Sequence, residues 1–213
     1  MRTFHRFNAI LLVVFLFFHL ANHLSGMLGI AVYDSVQTTF RLVYRQPLIE
    51  IVLLVSITLQ LLVGAKLLIK SLRRRRPVGF WPWTQHLSGG VFFLFMVQHL
   101  FSFVMSRWYF DLDTTFYWPA SVMSGPPFIY YFVPYYFLGV FAVIAHVGVA
   151  VRYALMRQKR VAIANKMGIG IMFLGAIVSA AILPVISGAY FAIDLPPLWI
   201  DYLRWYVPNF EPW

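Results

Sequence analysis

Polar residues are scarce along most of this chain and are collected into short intervals between five long apolar runs. The runs extend from Phe7 to Ile30, Pro47 to Ile69, Leu87 to Ser106, Phe128 to Val151 and Met167 to Ile193. Each reaches the roughly 20 residues that an α-helix needs to cross the hydrocarbon core of a bilayer. The pattern predicts an all-α polytopic membrane protein, a bundle of five transmembrane helices. The first run is too long, and too poor in a small-residue cleavage site, for a removed signal peptide, so it is read as a retained signal anchor. No repeat or low-complexity linker divides the chain. Residues 1–193 therefore read as one domain, and residues 194–213 as a tail rich in aromatics and proline.

The intervals have character of their own. The segment Trp108 to Pro127 combines aromatics with turn formers, which predicts a structured cap with Trp and Tyr at headgroup level. In the tail, Leu198 to Val207 is amphipathic enough to lie in the membrane interface. Trp81 and Trp83 mark the opposite interface, where a belt role accounts for them.

Composition supports this picture. The chain is 61% hydrophobic and 11% charged, too little charge to cover a soluble domain of this length. The charges are sorted by interval. Starting from an inner N-terminus, the inner intervals carry Arg2 and Arg6, then Lys66, Lys70 and Arg73 to Arg76, then Arg152, Arg157, Lys159, Arg160 and Lys166. The outer intervals carry Arg41, Arg45, Arg107 and Arg204 together with all seven acids, Asp34, Glu50, Asp111, Asp113, Asp194, Asp201 and Glu211. The positive-inside bias then puts the N-terminus in the cytoplasm and the C-terminus outside. The expected location is the bacterial cytoplasmic membrane. The net charge of +10 is accounted for by this bias and requires no nucleic acid. The basic inner face suits anionic lipid headgroups or an acidic partner surface, and the Arg73–Arg76 run reads as a topology determinant. The chain has no cysteine, which excludes disulfides, iron–sulfur ligation and thiol chemistry by the chain itself.

Candidate chemistry lies in the histidines. Four of the six, His19, His23, His99 and His146, fall inside apolar runs, where an imidazole is costly without a partner or a metal. His5 and His86 sit at run edges within reach of water. Two imidazoles from different helices at one depth would hold a b-type heme. At about 1.5 Å per residue, His19 lies roughly 15–18 Å from the inner end of its run and His23 about 6 Å further out. His99 lies roughly 18–22 Å from the inner side and His146 about 10–13 Å. On depth, His99 pairs with a first-run histidine, His23 matching its level slightly better than His19. His146 lies nearer the level of Gln60 on the second run.

The neighbours are compatible with a flat cofactor. Ser88, Phe92, Phe95, His99 and Phe103 share one stripe, Gly139, Ala142, His146 and Ala150 another, and Ser56, Gln60 and Gly64 a third. Small residues either let helices close tightly or leave room for a macrocycle, and the pattern does not choose between the two. For His146 a structural hydrogen bond and a ligand role stand side by side. His19 and His23 share a helix face at i,i+4, so at most one is expected to be axial to a single heme unless they point to different sides, and the other to bond a propionate, a quinone or a partner helix through Asn22. No carboxylate is embedded near these histidines, which disfavours zinc. No nucleophile arrangement suited to a hydrolase is present, and no row of buried carboxylates suited to ion coupling.

Four stretches, Phe17-Phe18-His19-Leu20, Pro47-Leu48-Ile49-Glu50 with Gly64, Gln85-His86-Leu87-Ser88-Gly89 followed by His99, and Ala145-His146-Val147-Gly148, together carry a family resemblance. The chain resembles the membrane-anchor cytochrome b subunit of succinate dehydrogenase and fumarate reductase, in its single-chain, five-helix form, over roughly Thr3 to Tyr153. The resemblance implies that His19 and His99 are axial ligands of an outer heme b. In two-heme members, second- and fourth-helix histidines hold an inner heme. His146 matches the fourth-helix ligand, whereas Gln60 stands at the second-helix position, so one heme is expected and a second is open. His146 then binds heme with another sixth ligand, binds quinone, or is structural.

The resemblance further implies a b-type cytochrome that anchors a soluble flavoprotein and an iron–sulfur subunit on the basic cytoplasmic face. It would relay electrons between them and membrane quinone, with no dicarboxylate chemistry of its own. The alternative is a structural subunit, with or without heme, among other membrane subunits of a larger assembly. The aromatic outer interval and the Trp/Pro tail, which the resemblance does not cover, motivate it. A small transporter or lipid-binding protein is a third reading, disfavoured by the lack of embedded charge.

Overall fold

In a computed structural model that describes residues 2–74 and 76–213, each apolar run is helical over most of its length and no strand occurs among the described residues. In chain order the helices are α1 (Arg2–Ser25), α2 (Ile30–Tyr44), α3 (Pro47–Arg74), α4 (Phe80–Val104), α5 (Tyr117–Ser121), α6 (Phe128–Arg157), α7 (Val161–Ile186) and α8 (Pro197–Tyr206). Five segments are long and apolar enough to cross a membrane: Thr3–Leu28, Pro47–Arg73, Phe80–Tyr109, Phe128–Arg157 and Val161–Ile186. The protein is thus an all-helical, multi-pass membrane protein. Of the arginine run, Arg75 lies outside the described residues.

Two spans are displaced from their expected limits. The third begins at Phe80 rather than Leu87, and the fifth covers Val161–Ile186 rather than Met167–Ile193. Hydropathy detects only the hydrocarbon-embedded part of a helix, whereas helical hydrogen bonding continues through polar first turns into the interface. At the far end of α7, Ser187 N–H donates to Leu183 O at 3.0 Å. Gly188 then turns the chain at φ +79°, a left-handed conformation that glycine adopts without a Cβ clash.

The basic and acidic intervals lie at opposite ends of the bundle. At the basic end, Arg152 Nε donates to Asn165 Oδ1 at 2.8 Å, joining α6 to α7, and the Arg152 guanidinium stacks 4.5 Å above the Trp81 ring. A Cβ on Gly168 would lie 2.6 Å from Trp81 Cη2, so Trp81 fills a notch on α7. That is a specific packing role where a belt role had been expected.

Packing is uneven across the bundle. In the most apolar window of α6, 39% of residues are buried, against 6% in each of α1, α3 and α4. The α6–α7 pair closes through small residues: a Cβ on Gly148 would meet Gly168 O at 3.0 Å, and one on Gly175 would meet Ile144 at 3.0 Å. Such close approach is what drives helix association in lipid, where no hydrophobic force distinguishes helix from solvent. The loosely packed α1, α3 and α4 leave a cavity between them.

Helix α2 is amphipathic and has no counterpart among the five apolar runs. It folds back along α1, with ring contacts from Tyr33 to His23, Phe40 to Phe18 and Tyr44 to Phe15. Its other face is clamped to the 111–116 segment. Arg41 Nη1 and Arg45 Nη2 reach the two Asp113 carboxylate oxygens at 2.8 and 2.7 Å, and Arg41 Nη2 and Gln37 Nε2 donate to Thr114 O at 2.6 and 3.2 Å. The remaining segment packs with the tail: Leu112, Trp199, Tyr202, Leu203 and Phe210 form one buried cluster, and Trp213 N–H donates to Ser124 O at 3.0 Å.

The clamp has a pH dependence of defined sign. Burial alone would raise the Asp113 carboxyl, but the Arg45 hydrogen bond and the charges of Arg41 and Arg45 bring it below its ordinary value of 3.8. Its contribution is therefore fully present above about pH 4 and fades as the pH falls through the depressed value. Asp113 is half exposed, so Asp113→Asn is expected to cost no more than about 0.5–1 kcal/mol at neutral pH. In thermal melts from pH 6 to 3, the loss relative to the native chain should shrink below pH 4; a loss that grows there would contradict the clamp.

Candidate functional site

The acidic-end half of the bundle gathers three of the four intramembrane histidines. On α1, the i,i+4 spacing that puts His19 and His23 on one face also aligns Phe15, and the Phe15 ring stacks on His19 at 5.6 Å between centroids. On α4, Phe95 stacks on His99 at 5.4 Å by the same spacing. The His19 and His99 rings lie 6.2 Å apart between centroids with their planes at 82°. Two imidazoles bound on opposite sides of one metal ion, each by a bond of about 2.0–2.1 Å, would put their ring centres about 6 Å apart.

Neither His19 nor His99 makes a hydrogen bond among the described residues, and both line the cavity between α1, α3 and α4. His23 is one turn further along, 4.9 Å from His19 between centroids and 5.6 Å from the buried Tyr33. The geometry brings His19, rather than His23, opposite His99. His23 Nδ1 and Asn22 Oδ1 are buried without a partner. Trp118 of α5 closes the site from the cap, 5.1 Å from the His99 ring.

The basic-end half holds a second polar group. His146 Nδ1 is 3.2 Å from Ser88 Oγ on α4, and Gly89 beside it admits the imidazole, since a Cβ there would approach His146 Cε1 to 3.2 Å. Gln60 is committed to α1: its Nε2 donates to His5 O at 3.1 Å, and its Oε1 accepts from Asn8 Nδ2 at 2.9 Å. Asn8 Nδ2 also donates to Ser56 O at 2.8 Å. Gln60, His146, His19, His23 and His99 all line one cavity of about 290 Å³. That is near the lower end of volumes for small-molecule and cofactor sites, which are mostly apolar with a few placed polar groups. A second cavity of about 490 Å³ lies on the other side of His99 and Trp118, walled by Tyr131, Tyr135 and Tyr136 of α6.

These residues fit a heme. The two imidazoles make no hydrogen bond and have a metal-spanning separation, aromatic rings fix their rotation, and the surrounding wall is largely apolar. No group of three or more His, Cys, Asp or Glu side chains that could hold a metal ion occurs among the described residues.

The sequence pattern missed several residues in and around the site. His5, read as water-facing, is built into the α1–α3 contact through Gln60, with Nδ1 buried and unpartnered. Arg41, Arg45 and Arg107 also line the cavity, though they read as charges of the outer intervals. The available signal was the ladder Tyr33, Gln37, Arg41, Arg45, whose four-residue step marks one face of a helix.

Fold and site together define a five-span helical membrane protein with a buried histidine cluster facing an internal cavity. No protein-family model, curated protein or solved structure matches the chain.

Proposed function

We propose that the chain is a b-type cytochrome holding one heme between His19 and His99, and that it relays electrons within a membrane-bound oxidoreductase complex. The observation that carries this reading is the facing pair of hydrogen-bond-free imidazoles, 6.2 Å apart between centroids, on two different helices. When bound, the heme would supply one-electron redox chemistry, and the chain would tune its potential through axial ligands, burial and neighbouring charge. His19 and His99 would hold the iron, Phe15 and Phe95 would fix the imidazole planes, and Leu16, Leu53, Ile57 and Val143 in the wall would exclude water.

The partners proposed are a soluble flavoprotein and an iron–sulfur subunit. They would dock at the basic end, taken as the cytoplasmic face of a bacterial cytoplasmic membrane on the positive-inside bias. Membrane quinone is the proposed second redox partner. In support, the cations at the acidic end are spent on carboxylates, Arg41 and Arg45 on Asp113, Arg107 on Glu50 and Arg204 on Asp201 and Glu211. No ion pair neutralises the basic end among the described residues. A structural role in a larger membrane assembly is the second reading, favoured by exposed Trp108, Trp205 and Trp213 at the cap, which a neighbouring subunit would cover.

Gln60 receives a structural role in this proposal, and no inner heme is assigned. Gln60→Ala is expected to lower stability by about 0.5–2 kcal/mol through loss of the α1–α3 hydrogen bonds, leaving the heme spectrum unchanged. A lost or altered Soret band in that variant would return Gln60 to the cofactor site.

The test of the function is an absorption spectrum of the purified chain, expressed with heme supplied, oxidised and then reduced with dithionite. A sharpened α-band and a shifted Soret band on reduction are expected. A flat visible spectrum would refute the cytochrome.

A further inference from the structure

The cavity that holds the histidine pair has a charged wall which two axial ligands do not use. Arg41 and Arg45 of α2 and Arg107 at the end of α4 all line it, together with Glu50. Arg107 lies in the π-helical turn Met105–Tyr109 that continues α4 beyond Val104, and its guanidinium lies 4.9 Å from the Phe103 ring centre. It therefore stands about 12 Å along the helix from His99, within the span of a substituted porphyrin. The fold-back of α2 brings its arginines to the same region from the other side, because Tyr44, next to Arg45, packs on Phe15, one turn from His19.

Three guanidiniums meet three carboxylates here, Asp34 of α2 lying within electrostatic reach of Arg41 and Asp113. Asp113 takes Arg41 and Arg45, and Glu50 takes Arg107. The three arginine side chains are only partly exposed, and most of the cavity they line is walled by apolar side chains. Arg41 Nε is moreover buried with no hydrogen-bond partner, although the two terminal nitrogens of the same side chain are fully engaged on the 113–114 segment. A buried cationic donor without an acceptor is costly, and such groups in native structures call for an anion. Guanidinium is the side chain best shaped for a carboxylate.

We infer that Arg41, Arg45 and Arg107 form a carboxylate-binding wall that receives the propionates of the heme. The inference rests on the heme assignment made above. It adds a second anchor to the axial pair and sets the rotation of the macrocycle about the iron axis. It also gives α2, which spans nothing, a purpose at the site.

The experiment is a pairwise comparison by Soret titration, using heme b and heme dimethyl ester, in which both carboxylates are masked. The native chain is expected to bind heme b about ten-fold or more tighter than the ester. Arg41→Gln and Arg107→Gln should each lose most of that preference by weakening heme b binding and leaving ester binding unchanged. Asp113→Asn breaks the same clamp while keeping the arginines, so its preference for heme b should persist; its loss there would mean that clamp integrity, and not the guanidinium, matters. Equal binding of both forms by the native chain, or a preference that survives both arginine substitutions, overturns the inference and leaves the cytochrome intact. Binding of neither form would refute the heme assignment itself. A lipid phosphate as the true anion would show as arginine variants that release bound anionic phospholipid and keep the full preference for heme b.

Discussion

A chain carrying His99→Ala is expected to lose its heme, with the Soret band falling to the level of non-specific binding. Loss of an outer-shell partner alone typically costs a metal site roughly 10–100-fold in affinity, so removal of an axial ligand should cost more. His19→Ala should behave in the same way, because its ring is the one that faces His99 at 6.2 Å. His23→Ala should differ. His23 packs against Tyr33 and His19 rather than His99, so that variant keeps a six-coordinate, low-spin spectrum. The contrast is measured by heme-to-protein ratio and by the reduced α-band. Retention of full heme by His99→Ala would refute the pair, and loss of heme in His23→Ala with retention in His19→Ala would exchange the two α1 residues.

The second large effect is expected at Gly139, one side chain removed from His99. A Cβ added there would lie 2.0 Å from Phe95 Cδ2 and 2.4 Å from Cε2, so the aromatic ring must move. That ring stacks on His99 and packs at 4.6 Å on Tyr135, whose hydroxyl donates to Phe95 O at 3.1 Å. Gly139→Ala is expected to destabilise the α4–α6 contact by about 1–3 kcal/mol, the usual cost of overpacking, and to loosen heme retention by turning the His99 ring. Melting of the detergent-solubilised protein, followed by tryptophan fluorescence, gives the first quantity and the Soret titration the second. Adding Phe95→Leu to Gly139→Ala should restore much of the melting temperature without restoring heme affinity, since the stacked ring is gone. An unchanged melting temperature in Gly139→Ala would show that the two helices do not meet as described.

Hydropathy made the five spans legible because a bilayer tolerates so few spanning structures. It blurred the starts of α4 and α7, where helical hydrogen bonds extend beyond the apolar stretch. It was silent about α2, whose Tyr33, Gln37 and Arg41 face protein while Val43 and Leu42 are exposed, a mixture too polar to register as a span. In the site, helical rise located His99 and the first-run histidines at one level, but it could not separate His19 from His23. That choice turns on which ring meets His99 in space, and helix rotation is not encoded in spacing along one helix. Gln60 was legible as a departure from the resembled pattern. Its commitment to His5 and Asn8 was not, because His5 sits at a run edge where the sequence predicts water and the spacing does not show which helix Asn8 faces. The arginine wall was hidden for a related reason: a charge in an outer interval reads as a surface charge until the chain folds back.

The most direct measurement is the low-temperature electron paramagnetic resonance spectrum of the oxidised, heme-loaded protein, taken with its heme-to-chain ratio. The imidazole planes of His19 and His99 stand at 82°, and near-perpendicular axial imidazoles keep two iron d orbitals close in energy. If the rings hold that orientation, one heme per chain and a single, strongly anisotropic low-spin signal are expected, both absent from His99→Ala. A high-spin signal, or the same low-spin signal in the native chain and in His99→Ala, would contradict the site.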